Sequence, residues 1–123
     1  MSIRTERVGR LVQREVADIL NTGFHDWPQS TATVTGATVT RDLSIAYVYA
    51  SCPGETVEER GIVFNTLVDL TPRVRRELAV RIRHQVRRIP ELRFVHDQSL
   101  TEAARIEELL DVARRERQER GDD

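Results

Sequence analysis

Residues 70–90 read LTPRVRRELAVRIRHQVRRIP, and its two prolines set the architecture. Pro72 removes a backbone donor and its ring clashes with the preceding turn, so no helix runs through it undisturbed. Thr71 and Pro72 suit the N-cap and first position of a new helix. Pro90 ends that helix. Between the prolines, at about 100° per residue, Val74, Leu78, Ala79, Ile82 and Val86 fall on one arc. Arg73, Arg76, Arg81, Arg83, Arg87 and Arg88 fall on the opposite arc, and Arg75 alone breaks the pattern. From Pro72 to Arg88 there are seven arginines and one acid, Glu77, in a protein whose net charge is −1. Such a face on a near-neutral chain points to a polyanion partner.

Upstream of the break, Thr56 and Glu59 form a capping box that opens a helix at about residue 57, with Ile62, Val63, Leu67 and Leu70 as its apolar positions. Before it lie two strand patterns. Residues 32–40 (ATVTGATVT) place Val34 and Val39 at opposite parity with Gly36 between them, so a bulge is expected to return both valines to one face. Residues 44–51 set Ala46, Val48 and Ala50 on one face and Ile45, Tyr47 and Tyr49 on the other. The turn Arg41-Asp42-Leu43 joins them as an antiparallel hairpin. Residues 3–21 are an amphipathic helix with Val8, Leu11, Val12, Val16 and Ile19 as its stripe and Arg7, Arg10 and Arg14 aligned on another face. Residues 24–31 read as a polar connector with a Trp27-Pro28 turn.

Downstream of Pro90, Leu92, Phe94 and His96 alternate with Arg93, Val95 and Asp97 as a third strand. Ser99 and Glu102 form a second capping box, opening a final helix with Ile106, Leu109, Leu110 and Val112. Residues 114–123 are charged with no apolar stripe, and are expected to be disordered or frayed. The order is α-β-β-α-(kink)-α-β with an additional C-terminal helix. An α+β domain over residues 1–113, its three-stranded sheet covered by helices on one face, buries these stripes most simply.

Composition narrows the function. All 19 basic residues are arginine, whose planar fork suits phosphate, although genome composition alone explains the absence of lysine. The chain is 39% hydrophobic and 32% charged, enough for one modest core. A single cysteine, Cys52, excludes an internal disulfide framework and argues against zinc. His25 and His84 lack partners at metal-ligand spacing, so no metal and no cofactor are expected. Arginines and acids interrupt the N-terminus and no run approaches the roughly 18 apolar residues of a membrane span, so a soluble cytoplasmic protein is expected.

The α-β-β-α-α-β order is that of a type II KH domain, and several strings resemble the ribosome-binding factor A family. They are SIRTERVGRLVQREVADIL at 2–20, VTGATVTRDLSIAYVYAS at 34–51, RVRREL at 73–78 and IPELRFVHDQSLTEAARIEELL at 89–110. The resemblance implies a non-enzymatic, monomeric assembly factor that binds the small ribosomal subunit and its rRNA during maturation, especially in the cold, alone or alongside other assembly factors. Type II KH domains usually clamp backbone with a GxxG loop; this family has a kink with an Ala-x-Gly pattern there. The matching positions here are Leu70, Thr71 and Pro72, which keep the kink and lose the close approach that glycine permits. The run between Leu78 and Pro90 is also about two residues longer than in the family.

The candidate RNA-binding residues are therefore Arg73, Arg76, Arg81, Arg83, Arg87 and Arg88 on the arginine helix, Arg7, Arg10 and Arg14 on the first helix, and Arg41 in the hairpin turn. Tyr47 and Tyr49 more simply cover the sheet than stack on bases. His96, Asp97 and Ser99 invite a triad reading, but adjacent strand residues point to opposite faces and Ser99 serves better as a cap. No catalytic sequence motif or Gly-rich phosphate loop is present, so no catalytic residue is assigned. The alternative is a protein-interaction module whose arginine helix docks on an acidic ribosomal or assembly protein.

Overall fold

The computed structural model describes residues 2–22 and 32–121, the side chains of 100–105 and 119–121 excepted. The expected 24–31 connector lies outside the described residues. The elements are α1 (Ile3–Thr22), β1 (Thr33–Val39), β2 (Ile45–Ser51), α2 (Val57–Asp69), α3 (Thr71–Ile82), β3 (Glu91–His96) and α4 (Ser99–Gly121). The strands form one sheet in the order β1-β2-β3, with β1 antiparallel and β3 parallel to β2.

Pairing confirms the bulge. Val34 faces Ala50, the next pair is Gly36 with Tyr49, and Thr35 is the extra residue. Val34, Ala37 and Val39 thereby share the face of Ala50, Val48 and Ala46. That face meets α1 through Val12, Val16, Ile19 and Leu20, α3 through Val74, Leu78 and Ile82, α2 through Leu67, and Leu92 of β3, all buried. Each such side chain removed from water contributes roughly 1.5–3 kcal/mol before entropy is charged against it. Gly9 lets α1 lie close on β1: a Cβ there would sit 3.2 Å from the Ala37 carbonyl oxygen.

The capping box is present, with Glu59 N–H donating to Thr56 Oγ1 (3.1 Å) and Thr56 N–H to Glu59 Oε2 (3.4 Å). The kink is also present, one residue earlier than expected. Leu70 is both the C-cap of α2 and the N-cap of α3, so Thr71 and Pro72 lie inside α3's first turn and Thr71 caps nothing. Pro72 is tolerated because the first N–H groups of a helix need no internal partner.

Three expectations need correction. The arginine helix ends at Ile82, and Arg83 is its C-cap. The Gln85 and Val86 N–H groups both close on the Ile82 carbonyl (2.8 and 3.2 Å). The chain must then double back to the start of β2, where Glu91 N–H donates to the Ser44 carbonyl (2.8 Å). The extra length before Pro90 is thus spent in a loop. Second, the charged segment is helical, continuing α4 to Gly121, since Arg, Glu and Gln are good helix formers and Arg114 pairs with Asp111 (3.6 Å). Third, the apolar positions Ile106, Leu109, Leu110 and Val112 of α4, and Ile62 of α2, are exposed. Ser99 N–H donates to Asp97 Oδ1 (2.9 Å), while the Glu102 side chain of the expected second box lies outside the described residues.

Candidate nucleic-acid interface

Two hollows flank α3, each lined by arginine. The first lies beside the kink and is walled by Val68, Thr71, Pro72, Arg75 and Arg76, with Glu91, Leu92, Arg93 and Phe94 of β3 opposite. Because β3 is an edge strand, one side of its backbone has no strand neighbour. The Arg75 guanidinium donates to the carbonyls of Pro90 (3.2 Å) and Ile89 (3.1 Å). That explains its place off the arginine arc: it ties the returning loop to α3.

The second hollow is a furrow between the first half of α1 and residues 85–87. One end is lined by Ile3, Arg4, Arg7, Val8, Leu43, Gln85, Val86 and Arg87. The other end shares Arg7, Val8, Gln85 and Val86 and adds Arg10, Leu11 and Arg14. Folding thus brings Arg87 to the same cleft as Arg7, Arg10 and Arg14, which the sequence offered as separate patches. Arg4 joins them unforeseen; its spacing of three to Arg7 was the available signal. The α1 stripe divides accordingly. Val12, Val16 and Ile19 face the sheet, while half-buried Val8 and Leu11 floor the furrow.

The candidate arginines therefore differ in what they are free to do. Arg76, Arg83, Arg87 and Arg88 are exposed, Arg76 on the helix and the others on its C-cap and the following loop. The Arg83 Nε–H donates only to its neighbour His84 Nε2 (3.4 Å). Arg73 is half-buried and already engaged. Arg81 points to α1, pairing with Asp18 and, at 3.3 Å, with Glu15. The Asp18 hydrogen bond, seconded by Glu15, holds its pKa above the ordinary arginine value. This follows from geometry, since Arg81 lies at the edge of the arginine arc, about 20° from Val74. Arg41 is exposed in the hairpin turn and borders a small hollow with Ser2, Thr5 and Val39.

The polar residues that resembled a triad are structural. His96 stacks on Phe64, ring centroids 5.0 Å apart. Asp97 Oδ2 accepts from Thr35 Oγ1 at 2.5 Å, and that bond, with those to Ser99, holds its carboxyl at about 2. Among the described residues no group of His, Cys, Asp and Glu could hold a metal. Burial pushes the Cys52 thiol up. Among them, too, no helix is long and apolar enough to cross a membrane. Buried Arg60, unforeseen, donates to the Gly54 carbonyl at the base of α2 (2.9 Å).

A three-stranded sheet with helices on one face, a broken α2–α3 pair and exposed guanidinium groups around it define a KH-like domain of the type II order. Solved structures of ribosome-binding factor A share the fold. The crystal structure from Thermus thermophilus matches with a TM-score of 0.62 at 22% identity, over 75% of this chain and 94% of that one. A homology model of the Thermus thermophilus factor, fitted into a cryo-EM map of its 30S complex, matches with a TM-score of 0.57 at 23% identity, over 73% and 91%. In sequence, the ribosome-binding factor A of Prosthecochloris aestuarii is 44% identical over 92% of this chain and 91% of its own. That of Chlorobaculum parvum is 45% identical over 94% of each. The family model "Ribosome-binding factor A" matches residues 4–110, and the chain belongs to that family.

Proposed function

We propose that this protein is a non-enzymatic assembly factor that binds the small ribosomal subunit during maturation by engaging its rRNA, and that it acts as a cytoplasmic monomer. Its family and the 30S complex of its Thermus relative support the subunit as partner. The observation that carries the RNA reading is the set of exposed Arg83, Arg87 and Arg88 just past the end of α3, with Arg4, Arg7, Arg10 and Arg14 across the furrow and exposed Arg76 beside the kink. Among the described residues no acid lines that furrow, which leaves its cations to phosphate. Arg73 and Arg81 have a smaller part, since each already has a partner. Arg41 extends the basic surface at the hairpin turn. A role in cold adaptation follows from the family resemblance and from no single residue.

A second reading has its own observation. The kink hollow sets the open edge of β3 beside apolar Leu92 and Phe94, a geometry that receives extended peptides. On that reading α3 docks on an acidic ribosomal or assembly protein. Crosslinking the protein to immature small subunits and mapping the adducts separates the two. Adducts from α3 and the 83–88 loop on rRNA nucleotides support RNA engagement. Adducts confined to proteins, with binding that survives nuclease digestion, favour the second reading.

A further inference from the structure

The furrow between α1 and residues 85–87 has chemistry that a duplex backbone does not use. A rod of phosphates needs only a cationic ridge. Here the cations and exposed Ile3 rim an apolar floor of half-buried Val8, Leu43 and Val86, with Gln85 offering an amide beside it. The cavity at this end measures about 570 Å³, within the roughly 300–1,000 Å³ of small-molecule sites. Among the described residues its guanidinium groups on Arg4, Arg7, Arg10 and Arg87 form no ion pair, and Arg14 pairs with adjacent Glu15 (3.5 Å). Asp18 pairs with Arg81, and Glu15 is shared between Arg81 and Arg14. Leu43 holds the floor in a left-handed conformation (φ +62°) that a residue with a Cβ adopts unfavourably. The turn is fixed by Leu43 N–H donating to the Thr40 carbonyl (2.8 Å). The occupant must be anionic, flat-sided and partly apolar, repeated along the length of α1 from Arg4 to Arg14. Single-stranded RNA meets those terms: its unstacked bases are free to enter a seat while its phosphates lie on the rim.

We propose that this furrow binds a single-stranded segment of RNA, with one unpaired base seated on Val8, Leu43 and Val86 and the flanking phosphates on Arg4, Arg7, Arg10 and Arg87. This rests on the RNA reading above and adds which form of RNA is taken, and where. The base edge is within the province of Gln85, the one uncharged polar side chain among the described residues lining the cavity.

The test uses the full chain with short RNA oligonucleotides carrying 2-aminopurine at one position, as single strands and annealed to complements. Single strands should bind more tightly than duplexes of the same length, with a change in 2-aminopurine fluorescence on binding. Replacing one nucleotide by an abasic unit should weaken binding about five- to tenfold, the low end for a base seat without an aromatic ring. Val86→Ser, checked for folding by circular dichroism, should abolish that abasic penalty and leave the salt dependence unchanged. Arg4→Gln with Arg10→Gln, both exposed, should do the reverse: they should flatten the salt dependence by about 0.7 per lost contact and keep the abasic penalty. The proposal is overturned if duplexes bind as well as single strands. It is equally overturned if the abasic penalty persists in Val86→Ser, or if a poly-glutamate peptide of matched charge competes as well as RNA. Small-subunit binding is measured in parallel. If it is nuclease-sensitive while the oligonucleotide preferences are absent, the furrow proposal fails and the RNA reading stands; if no RNA binds at all, both fail.

Discussion

Replacing Arg81 by Gln should loosen the protein and leave the proposed binding to the small subunit nearly unchanged. The Arg81 side chain is 28% exposed, and its partners Glu15 and Asp18 are 21% and 55% exposed. Such partly solvated pairs are worth about 0.2–1 kcal/mol each in double-mutant cycles. Losing both, and leaving two carboxylates three residues apart on α1 with no cation between them, adds to about 1–1.5 kcal/mol. Urea unfolding reads this as a lower midpoint with an unchanged slope. A cycle of Arg81→Gln with Asp18→Asn should give a coupling of about 0.5 kcal/mol, shrinking in 1 M salt, where the screening length is about 3 Å. The salt dependence of small-subunit binding should stay that of the unaltered protein. Two results together would refute the reasoning: no coupling to Asp18 or Glu15, and a salt slope flattened as much as by Arg76→Gln. Arg81 would then face the ligand and not α1.

Other residues give further checks. Leu92→Ala should cost more than Phe94→Ala, about 3 against about 2 kcal/mol, because Leu92 is fully packed and Phe94 only half-buried; the reverse order in urea titration would mean the wrong face of β3 was assigned to the core. Truncation after Ala113 should remove helical circular dichroism signal but leave the melting temperature within a few degrees, since residues 106–118 are all exposed; a large drop would show that α4 packs. Asp97 titrates at about 2 when folded, below the roughly 3.9 of an unfolded chain. Its contribution is thus complete above about pH 4 and is lost as pH falls towards 2. Thr35→Val removes the largest cause, so it should lower stability at neutral pH and converge with the unaltered protein near pH 2; a constant difference at every pH would deny the hydrogen bond its role. Asp42, held at about 2 by Ser44 and Thr40, should not change and serves as the control.

The sheet was legible because its signals are local. Opposite parity of Val34 and Val39 around Gly36 has one simple remedy, and the bulge at Thr35 supplies it. Pro72 announced its kink because a missing N–H cannot be disguised. What the sequence hid was tertiary. Arg73 through Arg88 look like one continuous face by periodicity, yet Ile82 ends the helix because the chain must return to Ser44, which only the sheet register requires. Arg81 looked like its neighbours until α1 came alongside with Glu15 and Asp18. The furrow was invisible for the same reason: Arg87 and Arg7 are eighty residues apart, and nothing in either segment says that they meet. The stripe of α4 misled in the other direction, since Ile106, Leu109 and Leu110 have helical spacing and no described element covers them.

The central claim is that the exposed arginines of α3 and the loop after it hold the small subunit through rRNA phosphates. Binding to purified immature small subunits, measured over a range of salt, tests it directly. Arg76, Arg83, Arg87 and Arg88 are changed together to Gln, which suits the helical position of Arg76 and touches only exposed side chains. The account predicts markedly weaker binding and a plot of log affinity against log salt flattened by about 3 units, at ~0.7–0.9 per lost phosphate contact. Arg114, Arg115 and Arg117, changed to Gln in a parallel variant, should have much less effect, because they sit among acids on α4. An unaltered affinity and slope in the first variant, with folding confirmed, would contradict the claim and leave the protein-docking reading ahead.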